Sequence, residues 1–351
     1  MFHALRVSAV EQLTDDSAAV TFAVPPELSE TFRHTPGQHV ALRRVVEGEE
    51  IRRTYSICSP ASTATAAPCL RVGIRMVEGG EFSTYALKEL AVGDTVEVMP
   101  PMGRFHLNPR PGHFAAVVGG SGITPVLSMA ATLLEREPEA RFCLIRSDRT
   151  VGSTMFLDEV ADLKDRFPQR FQLVTTLSRE EQQSGLPSGR LDEARLTALL
   201  PALLPVTDVD GWFLCGPFGL VMGAERALRG LGVERARIHQ EIFHVDDGSS
   251  PARAPVATPT HASLTATLDG RSGTWPVREG DSLLETVLRS RSDAPYACKG
   301  GVCGTCRAFI VSGKVQMDRN FALEPEETEA GYVLACQSHP ATPEVVLDFD
   351  R

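Results

Sequence analysis

The sequence predicts a multidomain fold: a β-rich block, then a parallel sheet flanked by helices, then a smaller α+β block. Three observations predict it. At 351 residues the chain exceeds what one compact core holds and suits two or three domains. Short strand-like runs fill residues 1–109, whereas 113–243 alternate strand with helix. Residues 244–260 then read as a linker. From Asp246 they run DDGSSPARAPVATPT, poor in large apolar side chains and semi-extended because of three prolines.

In the first block the strand-like runs are Leu5–Val10, Ala18–Val24, His39–Leu42, Tyr55–Cys58, Leu70–Met76 and Thr95–Met99. Turn signals such as Thr35-Pro-Gly37 and Val92-Gly-Asp94 separate them, the pattern of a sandwich or barrel. In the second block strands are expected at Phe114–Val118, Arg141–Arg146, Phe171–Leu177 and Gly211–Cys215. Helices are expected at Pro125–Glu135, Thr154–Arg166, Leu191–Leu200 and Gly219–Gly230. The last block, 261–351, shows strands at Ser263–Leu268, Thr274–Val277 and Val345–Phe349, with a helix at Ser282–Ser290.

The formal charge of −10 argues against nucleic acid or anionic membrane as a partner and suits docking onto a basic protein surface. The uncharged stretch Phe114–Leu134 has the length of a membrane span, but Gly119-Gly-Ser-Gly-Ile-Thr-Pro125 breaks it. A buried strand, a glycine loop and a helix fit it better. The opening MFHALRVSAV lacks a basic region followed by an apolar core, so a cytoplasmic location is expected.

Four of the eight cysteines fall in the last 54 residues. In a reducing compartment such a cluster indicates metal rather than disulfides. Cys298, Cys303 and Cys306 share one loop, and Cys336 follows thirty residues on: C-x4-C-x2-C…C, the plant-type [2Fe–2S] spacing. A structural zinc site would instead pair two short hooks. Gly300, Gly301 and Gly304 let backbone N–H groups approach the inorganic sulfides. Residues 263–351 resemble a plant-type ferredoxin, which implies a β-grasp fold and a one-electron carrier.

Two further sets of residues suit nucleotide cofactors. In the first block, Arg53 can pair with a phosphate, Tyr55 can stack on a flat ring and the Ser56 hydroxyl can reach a ring nitrogen. Gly79-Gly80-Glu-Phe-Ser83 precedes an expected helix start, which suits a pyrophosphate or an N-cap at Ser83. In the second, Gly120-Ser-Gly122-Ile-Thr124-Pro125 follows a strand and opens a helix, with proline placed where it costs no hydrogen bond. Cys215-Gly216-Pro217 ends a later strand, and Glu241-Ile-Phe243 closes the block. Cys215 alone would suit a small buried hydrophobe.

Together these motifs resemble the ferredoxin–NADP reductase superfamily. The resemblance implies FAD on an antiparallel six-stranded barrel over 1–109 and a nicotinamide-binding domain over 113–243. It places Arg53, Tyr55, Ser56, Gly80 and Ser83 at the flavin, with Phe243 approaching it. Ser56, Cys215 and Glu241 would line the hydride-transfer site beside Gly216 and Pro217. NADPH is favoured because Arg149, Ser178 and Arg179 follow strands where the 2′-phosphate would lie, although Asp148 could instead hold an NADH ribose. Across the chain, PGQH (36–39), RTYSIC (53–58), GSGITP (120–125) and YACKGGVC (296–303) resemble the reductase-subunit family of phenylacetyl-CoA epoxidases. That implies electron delivery to a di-iron oxygenase. A reductase for a Rieske-type oxygenase, and a non-catalytic redox carrier or sensor, stay open.

Overall fold

The computed structural model describes residues 2–63, 66–181, 188–244 and 261–351. The predicted linker lies outside them apart from His244, which ends a strand. Two compact units form, Phe2–His244 and 245–351.

The first unit opens with β1 (His3–Thr14), β2 (Ser17–Ala23), β3 (His39–Val46), β4 (Glu49–Ser56), β5 (Leu70–Arg75), helix α1 (Glu81–Lys88) and β6 (Thr95–Val98). The strands pair antiparallel in the order β4-β3-β6-β1-β2-β5. Just past β4, Ile57 bridges to Val72 of β5, and the Cys58 N–H donates to the Arg71 carbonyl at 2.9 Å. The two edges therefore meet and the sheet closes into a barrel. Inward residues such as Leu5, Val20, Leu42, Val72 and Val98 fill it.

β4 begins six residues before the predicted Tyr55. Its charged start, Glu49-Glu50-Ile51-Arg52-Arg53, hides the strand pattern, but the charges pair across the sheet. Arg43 of β3 reaches Glu50 at 3.0 Å and Glu97 at 2.6 Å. Arg53, two residues ahead of the predicted strand, consequently lies inside β4.

The same unit continues with β7 (His113–Gly119), α2 (Ile123–Arg136), β8 (Arg141–Asp148), α3 (Leu157–Arg166), β9 (Phe171–Leu177), α4 (Glu193–Leu203), β10 (Gly211–Pro217), α5 (Phe218–Gly230) and β11 (Ile238–His244). All five strands are parallel, in the order β11-β10-β7-β8-β9. Strand order reverses between β7 and β10, and the carboxyl ends there form the crevice where ligands bind in such sheets. β11 escaped prediction because His239, Gln240 and Glu241 interrupt its apolar pattern. α3 starts at Leu157 rather than Thr154, because Phe156 takes φ 55° ahead of it. The uncharged stretch resolves into β7, a tight turn and α2. Among the described residues no helix is long and apolar enough to cross a membrane.

Barrel and parallel sheet pack directly. A Cβ on Gly73 of β5 would lie 2.7 Å from Thr124 and 2.9 Å from Phe156, so only glycine permits the approach. The Ser128 hydroxyl of α2 donates to the Ser59 carbonyl at 2.7 Å across the same junction.

The second unit contains β12 (Ser263–Leu268), β13 (Arg271–Pro276), α6 (Leu283–Leu288), β14 (Arg307–Ser312), β15 (Val315–Met317), α7 (Pro325–Glu329), β16 (Tyr332–Leu334), β17 (Ser338–Pro340) and β18 (Glu344–Asp348). Its main sheet runs β13-β12-β18-β14-β16, with β12 and β18 parallel. β12 alternates buried and half-buried residues, and Leu264, Ala266 and Leu268 meet Leu283, Leu284 and Val287 of α6. A Ser282–Glu285 capping box starts that helix.

Candidate functional site

The cysteine loop connects α6 to β14, and Cys336 sits in the single turn after β16. Cys298 stands close enough to Cys303, and Cys306 to Cys336, that each thiol perturbs its neighbour. In each pair that proximity lowers one thiol, Cys298 or Cys336, and raises its partner. N–H groups of Gly300, Val302 and Cys303 also lower Cys298, the Gly300 donor lying 3.3 Å from its sulfur. Gly301 and Gly304 take positive φ as expected, but the third left-handed residue is Lys299 (φ 52°) rather than Gly300. Among the described residues no group of three or more His, Cys, Asp or Glu side chains is placed to hold a metal ion. The loop spacing with its remote fourth cysteine, and the N–H donors at Cys298 and Cys336, fit a two-iron cluster.

A second constellation lies where the barrel meets the parallel sheet. Glu241 of β11 stands beside Cys215 of β10 in the strand register. Its carboxylate lies 3.5 Å from the Ser56 hydroxyl and 3.7 Å from His39 Nδ1. Cys215 is fully buried, and burial, then the Glu241 charge, holds its thiol protonated well above the usual range. The three residues expected at the hydride site are therefore brought together, from strands far apart in sequence. His39 joins them. It is the cross-strand partner of Ser56, and its buried Nε2 has no hydrogen-bond partner among the described residues. A flavin ring edge, rich in hydrogen-bonding atoms, fits such an orphan. Position in PGQH was the signal that could have singled it out.

The two glycine motifs touch. A Cβ on Gly122 would come within 2.2 Å of the Cys215 carbonyl oxygen, and one on Gly216 (φ 138°) within 2.8 Å of the Gly119 carbonyl. The Thr124 hydroxyl donates to the Ser121 carbonyl at 2.9 Å and so braces the loop. Pro125, third in α2, falls among the first four N–H positions that lack helical partners. Pro217 caps α5. Arg75 of β5 is a basic group that sequence reading missed: its Nη1 would lie 3.0 Å from a Cβ on Gly120.

At the ends of β8 and β9, the Arg179 N–H donates to the Arg149 carbonyl at 2.9 Å, and the Ser178 N–H to Asp148. Both arginines are exposed. Asp148 is buried, with Oδ2 bonded to Arg146 Nε at 2.8 Å and Oδ1 without a hydrogen-bond partner among the described residues. On the barrel, Arg53 and Tyr55 share one face of β4 by strand alternation. The Tyr55 ring lies 5.6 Å from Phe82, and burial raises its hydroxyl pKa. Helix α1 is capped by Gly80, not Ser83. Ser83 is buried and its hydroxyl joins the Val77 N–H to the Gly80 carbonyl, which shapes the loop. Phe243 packs half-buried against the core that includes Cys215.

Three domain families match in order: an oxidoreductase FAD-binding domain over residues 4–107, an oxidoreductase NAD-binding domain over 117–226 and a 2Fe-2S iron–sulfur cluster binding domain over 266–341. The chain is 43% identical to a subunit of the 1,2-phenylacetyl-CoA epoxidase of Escherichia coli, over 99% of this chain and 98% of that one. The chain belongs to this family of flavin and iron–sulfur reductases. Another relative is the ferredoxin reductase component of a 3-ketosteroid-9-alpha-monooxygenase from Rhodococcus rhodochrous, 32% identical over 98% of this chain and 96% of that one. Phthalate dioxygenase reductase has the same fold, with a TM-score of 0.62 over 99% of this chain and 98% of that one at 24% identity. Members of this family are NAD(P)H-dependent oxidoreductases that carry FAD, a nicotinamide site and a [2Fe–2S] cluster, and this chain is one.

Proposed function

We propose that this chain takes electrons from NADPH and passes them, through FAD and the cluster, to a di-iron oxygenase that epoxidises phenylacetyl-CoA in cytoplasmic phenylacetate breakdown. The observation that carries the reading is full-length similarity to the epoxidase component, motifs included. When bound, FAD would supply two-electron acceptance from the nicotinamide with single-electron release, and the cluster would supply one-electron relay.

The chain's own residues would position these groups. Arg53 and Gly80 would face the flavin phosphates, with Ser83 shaping the loop around them, and Tyr55 and Phe243 would flank the ring. Ser56, Cys215 and Glu241 would line the point of hydride transfer, the protonated Cys215 supplying bulk without charge. Gly120, Gly122, Thr124 and Pro125 form the turn that admits a pyrophosphate, and Gly216 and Pro217 shape the neighbouring wall. Cys298, Cys303, Cys306 and Cys336 would hold the irons. NADPH is favoured over NADH because Arg149 and Arg179 stand together while Asp148 is tied to Arg146.

The test mixes the FAD- and cluster-loaded chain with NADPH and candidate oxygenase subunits. Phenylacetyl-CoA-dependent oxygen consumption with epoxide formation is expected. Support of a Rieske-type steroid oxygenase alone, the reading favoured by the Rhodococcus relative, would overturn the substrate assignment and leave the reductase chemistry intact.

A further inference from the structure

Gln337 directly follows the fourth cysteine, in the turn Ala335–Gln337. Its side-chain amide Nε2 donates to the Lys299 carbonyl at 2.8 Å. The same nitrogen lies 3.2 Å from the Cys336 carbonyl and 3.6 Å from the Cys336 sulfur. Its aliphatic stem lies over Gly301, where a Cβ would sit 3.1 Å from Gln337 Cγ. One side chain thus grips the main chain of the cysteine loop and also reaches the remote ligand. Lys299, whose carbonyl it captures, holds a left-handed φ that a lysine rarely adopts. Nearby, main-chain bonds from Phe321 to Gly301 and from Asp318 to Gln337 fasten the same segments through residues 318–321. With the Cys306 thiol and the main-chain N–H of Gly301, the Gln337 amide is one of the donors around the Cys336 sulfur.

We propose that Gln337 is a positioning residue of the cluster: it latches the loop of Cys298, Cys303 and Cys306 to Cys336 and directs an N–H at the Cys336 sulfur. The inference rests on cluster binding and is independent of which oxygenase is served. The reduced cluster carries one more negative charge than the oxidised one. A donor aimed at a ligand sulfur therefore favours reduction and raises the potential. The latch also makes loop and fourth ligand open together rather than separately.

The test uses the full chain loaded with FAD and cluster. Gln337→Leu keeps the bulk and removes the N–H. Its midpoint potential, followed by the EPR signal of the reduced cluster, is expected to fall below that of the parent. Its iron should also pass to a chelator several-fold faster. Gln337→Glu, which sets a carboxylate against the Lys299 carbonyl and the ligand sulfur, should shift both further. An unchanged midpoint in the leucine variant, whatever its rate of iron loss, overturns the proposal. Should neither variant take up a cluster, the parent chain decides: with 15N in the glutamine side-chain amides, pulsed EPR should detect weak coupling to one such nitrogen. No coupling overturns it.

Discussion

At the scale of single residues, the charges proposed to choose the nucleotide are separable from those buried in the sheet. Arg149 and Arg179 are exposed and stand side by side, whereas Arg146 and Asp148 are buried and answer each other. Replacing both exposed arginines by alanine should raise the KM for NADPH by about 10- to 100-fold, since a charge-assisted contact contributes about 1.5–3 kcal/mol. The KM for NADH should barely move; equal losses for both nucleotides would remove the 2′-phosphate assignment. A second residue-level expectation concerns pH. Burial pushes the Cys58 and Cys143 thiols up to about 12 from 9.0. The unfolded chain then loses those protons first, so their contribution is complete below pH 9 and declines as pH climbs towards 12. The slope should be about 1.4 kcal/mol per thiol per pH unit. Urea unfolding between pH 8 and 10.5 checks this, and Cys143→Ala should flatten the curve by one thiol's share.

At the scale of elements, the proposed nucleotide site is an agreement between two loops. The turn after β7 and the end of β10 lie so close that neither tolerates a side chain at its central glycine. Gly122→Ala should force the Cys215 carbonyl away, at a cost of about 1–3 kcal/mol typical of overpacking. Steady-state assays should show the nicotinamide KM rising and hydride transfer slowing, with the visible spectrum of the cluster preserved. Unaltered kinetics would mean that the loops do not act jointly. Both motifs were legible in the sequence because each is local, a few residues whose spacing encodes a turn. Their contact was not legible, since parallel pairing of β7 with β10 joins residues about a hundred positions apart. The charged start of β4 and the polar middle of β11 escaped for a related reason. Their polar side chains find partners on neighbouring strands, such as Arg43 with Glu50, and this pairing cannot be seen along one strand.

At the scale of the whole molecule, hydride chemistry and one-electron relay occupy separate compact units, Phe2–His244 and 245–351. The barrel and the parallel sheet, by contrast, form one body, joined at Gly73 and Ser128. The sequence expectation of a linker before residue 261 leads to a further prediction. Deleting six residues from the segment 246–260 should slow electron delivery to the oxygenase while NADPH-driven flavin reduction keeps its rate. Stopped-flow measurement of both steps on one preparation separates them, and unaltered delivery would refute a carrier domain that must move.

The sequence alone determined the order of domains, a cysteine spacing that suits a [2Fe–2S] cluster and the glycine turns. Each of these is written in residues close together, where spacing dictates geometry. Only the tertiary structure decided that His39 stands with Ser56, Cys215 and Glu241, that Arg75 overlooks the Gly120 turn, and that Asp148 is bonded to Arg146. Those relations depend on strand register and on barrel packing against sheet. Register and packing follow from burying many side chains at once, and no short stretch of sequence carries that information.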